Sequence, residues 1–205
     1  MQILMIRHGQ TKGNLEKRYI GSSDEPLCEQ TCHYLEHYCQ QRKNECLDKL
    51  HLYVSPMKRC IQTASFLFPG YRQEMVNGLR ECDFGLWEGK NYEELQYDPH
   101  YQKWLDSGGS MPFPEGESKA VFTQRCRTAF TEIMKKERPS DRDVKLCLVV
   151  HGGTIMALGE QFSSFGKGYY DYQTAPLCGY RFYWDENQKL FTEEQEWKLG
   201  DAWFL

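Results

Sequence analysis

At 205 residues, with 40% hydrophobic and 26% charged side chains, the chain suits one soluble domain, residues 1–205, with a sizeable core. A formal net charge of −4 excludes a global positive field of the kind that collects nucleic acid, so any phosphate site has to be a local cluster of Arg and His. Residues 1–6 are too few for a signal h-region or a membrane span, and a cytoplasmic protein with no membrane partner is expected.

In chain order, residues 3–6 form a short apolar run that stops at Arg7-His8-Gly9 and reads as a first buried strand. A helix is predicted over 27–42, where Cys28, Cys32, Leu35 and Cys39 recur at steps of four, three and four. His33 and His37 lie one step round from that stripe. The stripe therefore reads as a packing face with no metal site, as suits reduced thiols among nine cysteines without a Cys-x-x-Cys pair.

A second strand, 50–54, leads into a helix over 57–68, with Ser55-Pro56 predicted as its cap and first-turn residue. Residues 84–117 carry Phe84, Trp87, Tyr92, Tyr97, Tyr101, Trp104 and Phe113 among Gly and Pro, and read as a lid-like insertion of short helices. Asn91 and Glu94 have the spacing of a capping box there. The longest helix, 118–137, places Phe122, Cys126, Ala129 and Ile133 on one face, with Pro139 beyond its end. A third buried strand, 144–150, is followed by His151-Gly152-Gly153 and another helix. Residues 181–184 and 189–193 flank a polar turn and predict a terminal hairpin. This alternation implies an α/β fold, a three-layer α/β/α sandwich around a mostly parallel sheet.

Ligands of parallel sheets bind where strands end. The three strand ends deliver Arg7 and His8, then Arg59, then His151, with Gly152-Gly153 opening a helix behind it. Two guanidinium groups can each grip a phosphate in a fork, a helix start adds N–H donors, and glycine lets the anion approach Gly152 closely. A neutral imidazole can attack phosphorus once a carbonyl holds its other ring nitrogen, which makes His8 a candidate nucleophile. The second imidazole, His151, is expected to be held protonated beside a bound dianion and to stabilise the equatorial oxygens.

Four ordered blocks carry a family resemblance: Arg7-His8-Gly9-Gln10-Thr11-x2-Asn14, Ser55-x3-Arg59-x2-Gln62-Thr63-Ala64, Glu81-x3-Gly85-x-Trp87-Glu88-Gly89 and His151-Gly152-Gly153. Together they resemble the histidine phosphatase (phosphoglycerate mutase-like) superfamily. The segments Gly21-Ser-Ser-Asp24-Glu-Pro26-Leu27 and Phe113-Pro-Glu-Gly116-Glu-Ser118 are most similar to its α-ribazole-5′-phosphate phosphatases, of cobalamin nucleotide-loop assembly. The resemblance implies a phosphohistidine on His8, a pocket of Arg7, Arg59 and His151, a phosphoryl contact from Asn14, and Glu81 as general acid and then base. Arg and His supply the positive charge, so neither metal nor other cofactor is implied. Where the family commonly has Gly this chain has Thr31, and where Ala is frequent it has Cys60; both changes are expected to affect packing alone.

Rival phosphatase chemistries lack their motifs. No Cys is followed six positions later by Arg, no Gly-x-Ser-x-Gly elbow occurs, and Asp141-Arg-Asp143 precedes its strand where an aspartate nucleophile would have to end it. The expected activity is hydrolysis of small phosphorylated metabolites. Phosphoglycerate mutase is the alternative within the family, and a non-catalytic phospho-ligand-binding module the alternative outside it. The candidate lid holds Lys90 and Lys103 but no Arg, too little basic charge to retain a bisphosphate. The sequence leaves monomer against homodimer open.

Overall fold

The computed structural model describes residues 1–41, 47–137 and 144–204. In chain order its elements are β1 (Gln2–Arg7), α1 (Lys12–Leu15), α2 (Glu29–Gln41), β2 (Leu50–Val54), α3 (Lys58–Leu67), β3 (Gln73–Met75), α4 (Tyr92–Leu95), α5 (Pro99–Asp106), α6 (Lys119–Glu137), β4 (Lys145–Val150), α7 (Gly152–Phe162), β5 (Cys178–Asp185) and β6 (Leu190–Lys198). Six strands form one sheet in the order β3-β2-β4-β1-β5-β6. The first four of these run parallel, and β5 and β6 are antiparallel additions at one side. The expected three-layer architecture is present.

Alternation along β1 explains the layers. Ile3 and Met5 join Leu146, Leu148 and Val150 under α6 and α7, against Phe122, Phe130, Ile155 and Leu158. Leu4 and Ile6 face the other way, with Val54, Cys147 and Val149, onto Leu35, Cys60 and Ala64 of α2 and α3. Both faces of the central strands are covered, which is why they read as continuous apolar runs and not as alternating ones. The α2 stripe behaves as expected: Leu35 is buried, Cys32 packs against the same cluster, and His33 and His37 are exposed.

Several boundaries differ from the expected ones for local reasons. Leu27 bridges Thr11 and Cys28 N–H donates to Gln10 O, so both residues stay extended and α2 starts at Glu29. Arg42, Pro139 and 141–143 lie outside the described residues. The 57–68 helix begins at Lys58 with Met57 as its N-cap and no side-chain cap, so Ser55-Pro56 are not its start. Strand β3 is a three-residue polar segment at the sheet's edge, without an apolar pattern to announce it. The Asn91–Glu94 capping box forms as read. The hairpin exceeds its expected length, because β5 also pairs with β1 along Gln2 to Ile6. On the opposite edge strand, β6, Glu193 and Glu196 are exposed charges of the kind that blunt sheet edges, while Glu194 is paired with Lys167. Among the described residues no helix is long and apolar enough to cross a membrane.

Candidate active site

Neighbouring strands bring the distant residues together. In the parallel β1–β4 ladder Arg7 stands beside Val150, and His8 N–H extends the pairing to Val150 O at 3.0 Å. The next residues, His8 and His151, therefore meet, with ring centroids 5.1 Å apart. On the other side of β4, Ser55 N–H donates to Val149 O at 3.1 Å, and the chain then turns into α3 to deliver Arg59. His8, Arg59 and His151 are all buried.

Their hydrogen bonds assign the tautomers. His8 Nδ1–H donates to Gly9 O at 2.6 Å, which leaves the Nε2 lone pair free. Burial, and after it the Arg59 charge, hold His8 well below the usual imidazole range, so the ring is neutral at pH 7. His151 is held low for the same two leading reasons. Arg59 Nε–H donates to His151 Nδ1 at 3.3 Å, so Nε2 carries the proton and donates to Ser55 Oγ at 2.7 Å. The expected imidazolium at His151 thus requires an anion beside it to reverse the effect of the arginines. Ser55, expected as a helix cap, is a ring-orienting acceptor. Cys60 is buried with Sγ 3.5 Å from His151 Nε2, close enough to fix the ring's position.

Arg59 also differs from the free fork expected. Of its five N–H groups, Nε serves His151, one on Nη1 serves Ser23 O at 2.7 Å, and one on Nη2 serves Gly21 O at 2.9 Å. At most two remain for an anion. The clamp on residues 20–23 is completed from the other side by Glu88, whose carboxylate accepts N–H bonds from Gly21, Ser22 and Ser23. Gly21 is required there, since a Cβ would lie 1.8 Å from Cys82 O. Arg7 is less engaged: Nη1 donates to Thr174 O at 2.6 Å, while Nε is buried with no partner among the described residues. A buried charged donor left unpaired is costly, and a bound anion is what would pair it.

Glu81 reaches the same place from an irregular segment. Its carboxylate accepts Cys82 N–H at 2.9 Å and Gly153 N–H at 3.1 Å, and burial raises it above the usual carboxylate range despite those bonds. Gly152, expected to let an anion approach, lies against the Arg7 guanidinium, where a Cβ would stand 3.4 Å from Nε. Gly153 is the stricter position, because a Cβ there would stand 2.2 Å from Glu81 Oε1. Gly153→Ala is expected to swing the carboxylate away and lower kcat/KM on an alkyl phosphate by about 100-fold. Steady-state kinetics check this, and an unchanged kcat/KM would remove Gly153 from the site's construction.

Asn14 is differently employed from the expectation. Its Oδ1 accepts Thr11 N–H at 3.1 Å and its own N–H donates to Thr11 Oγ1, a capping box that fixes the turn after His8. A phosphoryl contact from Asn14 is left to its side-chain amide group alone. Thr63 accepts Gly9 N–H at 3.0 Å and donates to Arg59 O at 2.7 Å, a role its place in the second motif does not announce, and so ties the nucleophile's loop to the arginine's helix. Thr31 proves to be a contact residue of that loop, since a Cβ on Gly9 would lie 2.5 Å from its Cγ2.

Above Arg7 and Glu81 opens a cavity of about 310 Å³ lined by Tyr19, Phe84, Trp104, Phe113, Tyr169 and Tyr170, with Lys119 on its wall. The 84–117 rings divide into three groups, one of which, Tyr92 and Tyr97, is exposed. Trp87 and Tyr101 are buried as the segment's own core, whereas Phe84, Trp104 and Phe113 face the cavity. Lys119 is paired with Glu160 at 3.0 Å and sits 4.3 Å from the Tyr169 ring centroid.

A family model, the histidine phosphatase superfamily (branch 1), matches residues 3–194. The chain belongs to that superfamily. It is 32% identical over 164 residues to the broad-specificity phosphatase YOR283W of Saccharomyces cerevisiae, covering 76% of this chain and 67% of that one. Phosphoserine phosphatase 1 of Hydrogenobacter thermophilus is 28% identical over 140 residues, 66% of this chain, so the match spans 65% of that relative's length. Among solved structures, the alpha-ribazole phosphatase from Shigella flexneri superposes with TM-score 0.76 at 19% identity, covering 94% of each chain. A phosphoglycerate mutase from Thermus thermophilus gives 0.65 at 25% identity, over 95% of this chain and 98% of that one.

Proposed function

We propose that this chain hydrolyses phosphate monoesters of small metabolites through a phosphohistidine on His8. The observation that carries the reading is the Nδ1–H bond from His8 to Gly9 O, which presents a neutral Nε2 lone pair beside Arg7, Arg59 and His151. Nε2 attacks phosphorus, the phosphorus–oxygen ester bond breaks, and Glu81 gives its proton to the departing alcohol oxygen. Water then attacks the phosphohistidine, Glu81 accepts a proton from that water, and the nitrogen–phosphorus bond breaks to release phosphate. The Arg7 Nε–H, the remaining Arg59 donors and the Gly152 N–H hold the equatorial oxygens. A dianion among them raises the affinity of His151 for a proton, so His151 becomes a donor during transfer.

The cavity favours hydrolysis over a mutase reaction. A bisphosphate intermediate needs spare cations, yet Lys90 and Lys103 are exposed outside the cavity and Lys119 is engaged by Glu160. An aromatic wall suits an ester of a flat, uncharged alcohol, of which α-ribazole 5′-phosphate is one. The test is a panel holding that ester, phenyl phosphate, phosphoserine and 3-phosphoglycerate with a bisphosphoglycerate primer. Release of inorganic phosphate, fastest from the aromatic and nucleoside esters, is expected. Accumulation of 2-phosphoglycerate in place of phosphate would establish the mutase reading instead.

A further inference from the structure

We infer that Arg125 of α6, with Glu117 as its counter-ion, is a positioning residue for Glu81. Glu81 follows a 3-10 turn at Asn77–Leu79 and precedes another at Gly85–Trp87, and no strand or helix ladder holds residues 80–84. Something else must fix the backbone from which the carboxylate reaches Gly153. All five donors of Arg125 converge on this task. Nη1 donates to Gly78 O and Arg80 O, each at 3.0 Å, and Nη2 donates to Glu81 O itself at 3.2 Å. Nε and Nη2 also form a bidentate pair with Glu117, at 2.9 and 2.6 Å.

Glu117 completes the clamp. Its Oε2 accepts Asp83 N–H at 3.0 Å, and its own N–H donates to Asp83 O at 2.9 Å. One ion pair therefore gathers carbonyls from 78, 80 and 81 and both backbone groups of 83. The turn at 77–79 has no room to slide, because a Cβ on Gly78 would meet Ala129 Cβ at 2.5 Å. Lysine could keep the charge at position 125 but not the fork that reaches three carbonyls and a carboxylate together. The inference rests on Glu81 being the general acid, and its consequence is specific: loosening the clamp must harm esters whose alcohol needs a proton more than esters whose alcohol does not.

The experiment compares Arg125→Lys, Glu117→Gln and Glu81→Gln with the unmodified chain on 2,4-dinitrophenyl phosphate, phenyl phosphate and an alkyl phosphate. It reads kcat/KM, which reports the steps through alcohol departure. For Arg125→Lys and Glu117→Gln a loss of about tenfold or more on the alkyl ester and less than about threefold on the dinitrophenyl ester is expected, a weaker copy of Glu81→Gln. Equal losses across the series, or none, in both clamp variants would overturn the positioning role while Glu81→Gln still shows its leaving-group dependence. A flat series for Glu81→Gln itself would overturn the general-acid reading and the clamp's role with it. Glu117→Gln preserves side-chain shape, so the series stays readable even where Arg125→Lys does not fold.

Discussion

His8→Ala is expected to lower kcat/KM for every phosphate monoester by about 10⁵-fold, a barrier increase of about 7 kcal/mol. Alanine removes the imidazole whose lone pair stands without a proton beside both arginines; His151, 5.1 Å away between ring centroids, has Nδ1 occupied by Arg59 and Nε2 by Ser55. It cannot take over without leaving both partners. Incubating the unmodified chain with a labelled phosphodonor and quenching it in alkali should trap a phosphoenzyme that is base-stable and acid-labile, as a phosphorus–nitrogen bond is. The same treatment of His8→Ala should trap nothing. Persistent label in the variant would move the nucleophile elsewhere. Absence of label in the unmodified chain, with phosphate or vanadate still bound, would support the non-catalytic phospho-ligand module. Because Arg7 and Arg59 are held by Thr174, Ser23 and Gly21 and not by His8, anion binding is expected to survive the substitution.

The convergence of Arg7, His8, Arg59 and His151 was legible in the sequence because strand ends are legible. Each follows a run whose apolar, β-branched character comes from burial on both faces, and a parallel sheet aligns the ends of such runs. What holds those four side chains was not legible. Ser55 looks like a helix cap by residue type and neighbour, and only the Val149 pairing shows that its hydroxyl faces His151. Asn14 looks like a ligand residue through resemblance, and the capping box with Thr11 engages its carbonyl oxygen. Glu88 stands in a motif and Arg125 lies eight residues from its partner Glu117, yet what they clamp has no local signal, since the backbone groups they hold at 21–23 and at 78, 80 and 81 lie 65 to 67 and 44 to 47 positions away. Sequence patterns report what a residue does to its own element. They are silent on hydrogen bonds that an irregular segment makes to a distant side chain.

Glu81→Gln is expected to change the pH profile as well as the rate, and the two changes together identify the acid. Chemistry needs His8 neutral and Glu81 protonated at once. With ordinary values of 6.5 for the imidazole and 4.5 for the carboxyl, no pH would offer both as majority forms. Burial moves them in opposite directions: it lowers His8, so the ring is neutral from below the usual imidazole range upward, and it raises Glu81, so the carboxyl keeps its proton to above the usual carboxylate range. The kcat/KM profile should therefore be a bell, with an acid limb set by His8 and an alkaline limb set by Glu81. The ester's own second ionisation, near about pH 6, adds a limb that belongs to the substrate and stays in every variant. Glutamine keeps the carbonyl that accepts Gly153 N–H but cannot give a proton, so kcat/KM for an alkyl ester should fall by about 10²- to 10³-fold. The alkaline limb should vanish from what remains. An alkaline limb unmoved in Glu81→Gln would assign that proton to a group other than Glu81, and not to Tyr169 on the cavity wall, because burial holds its phenol far above its usual range and it keeps its proton throughout the accessible pH range.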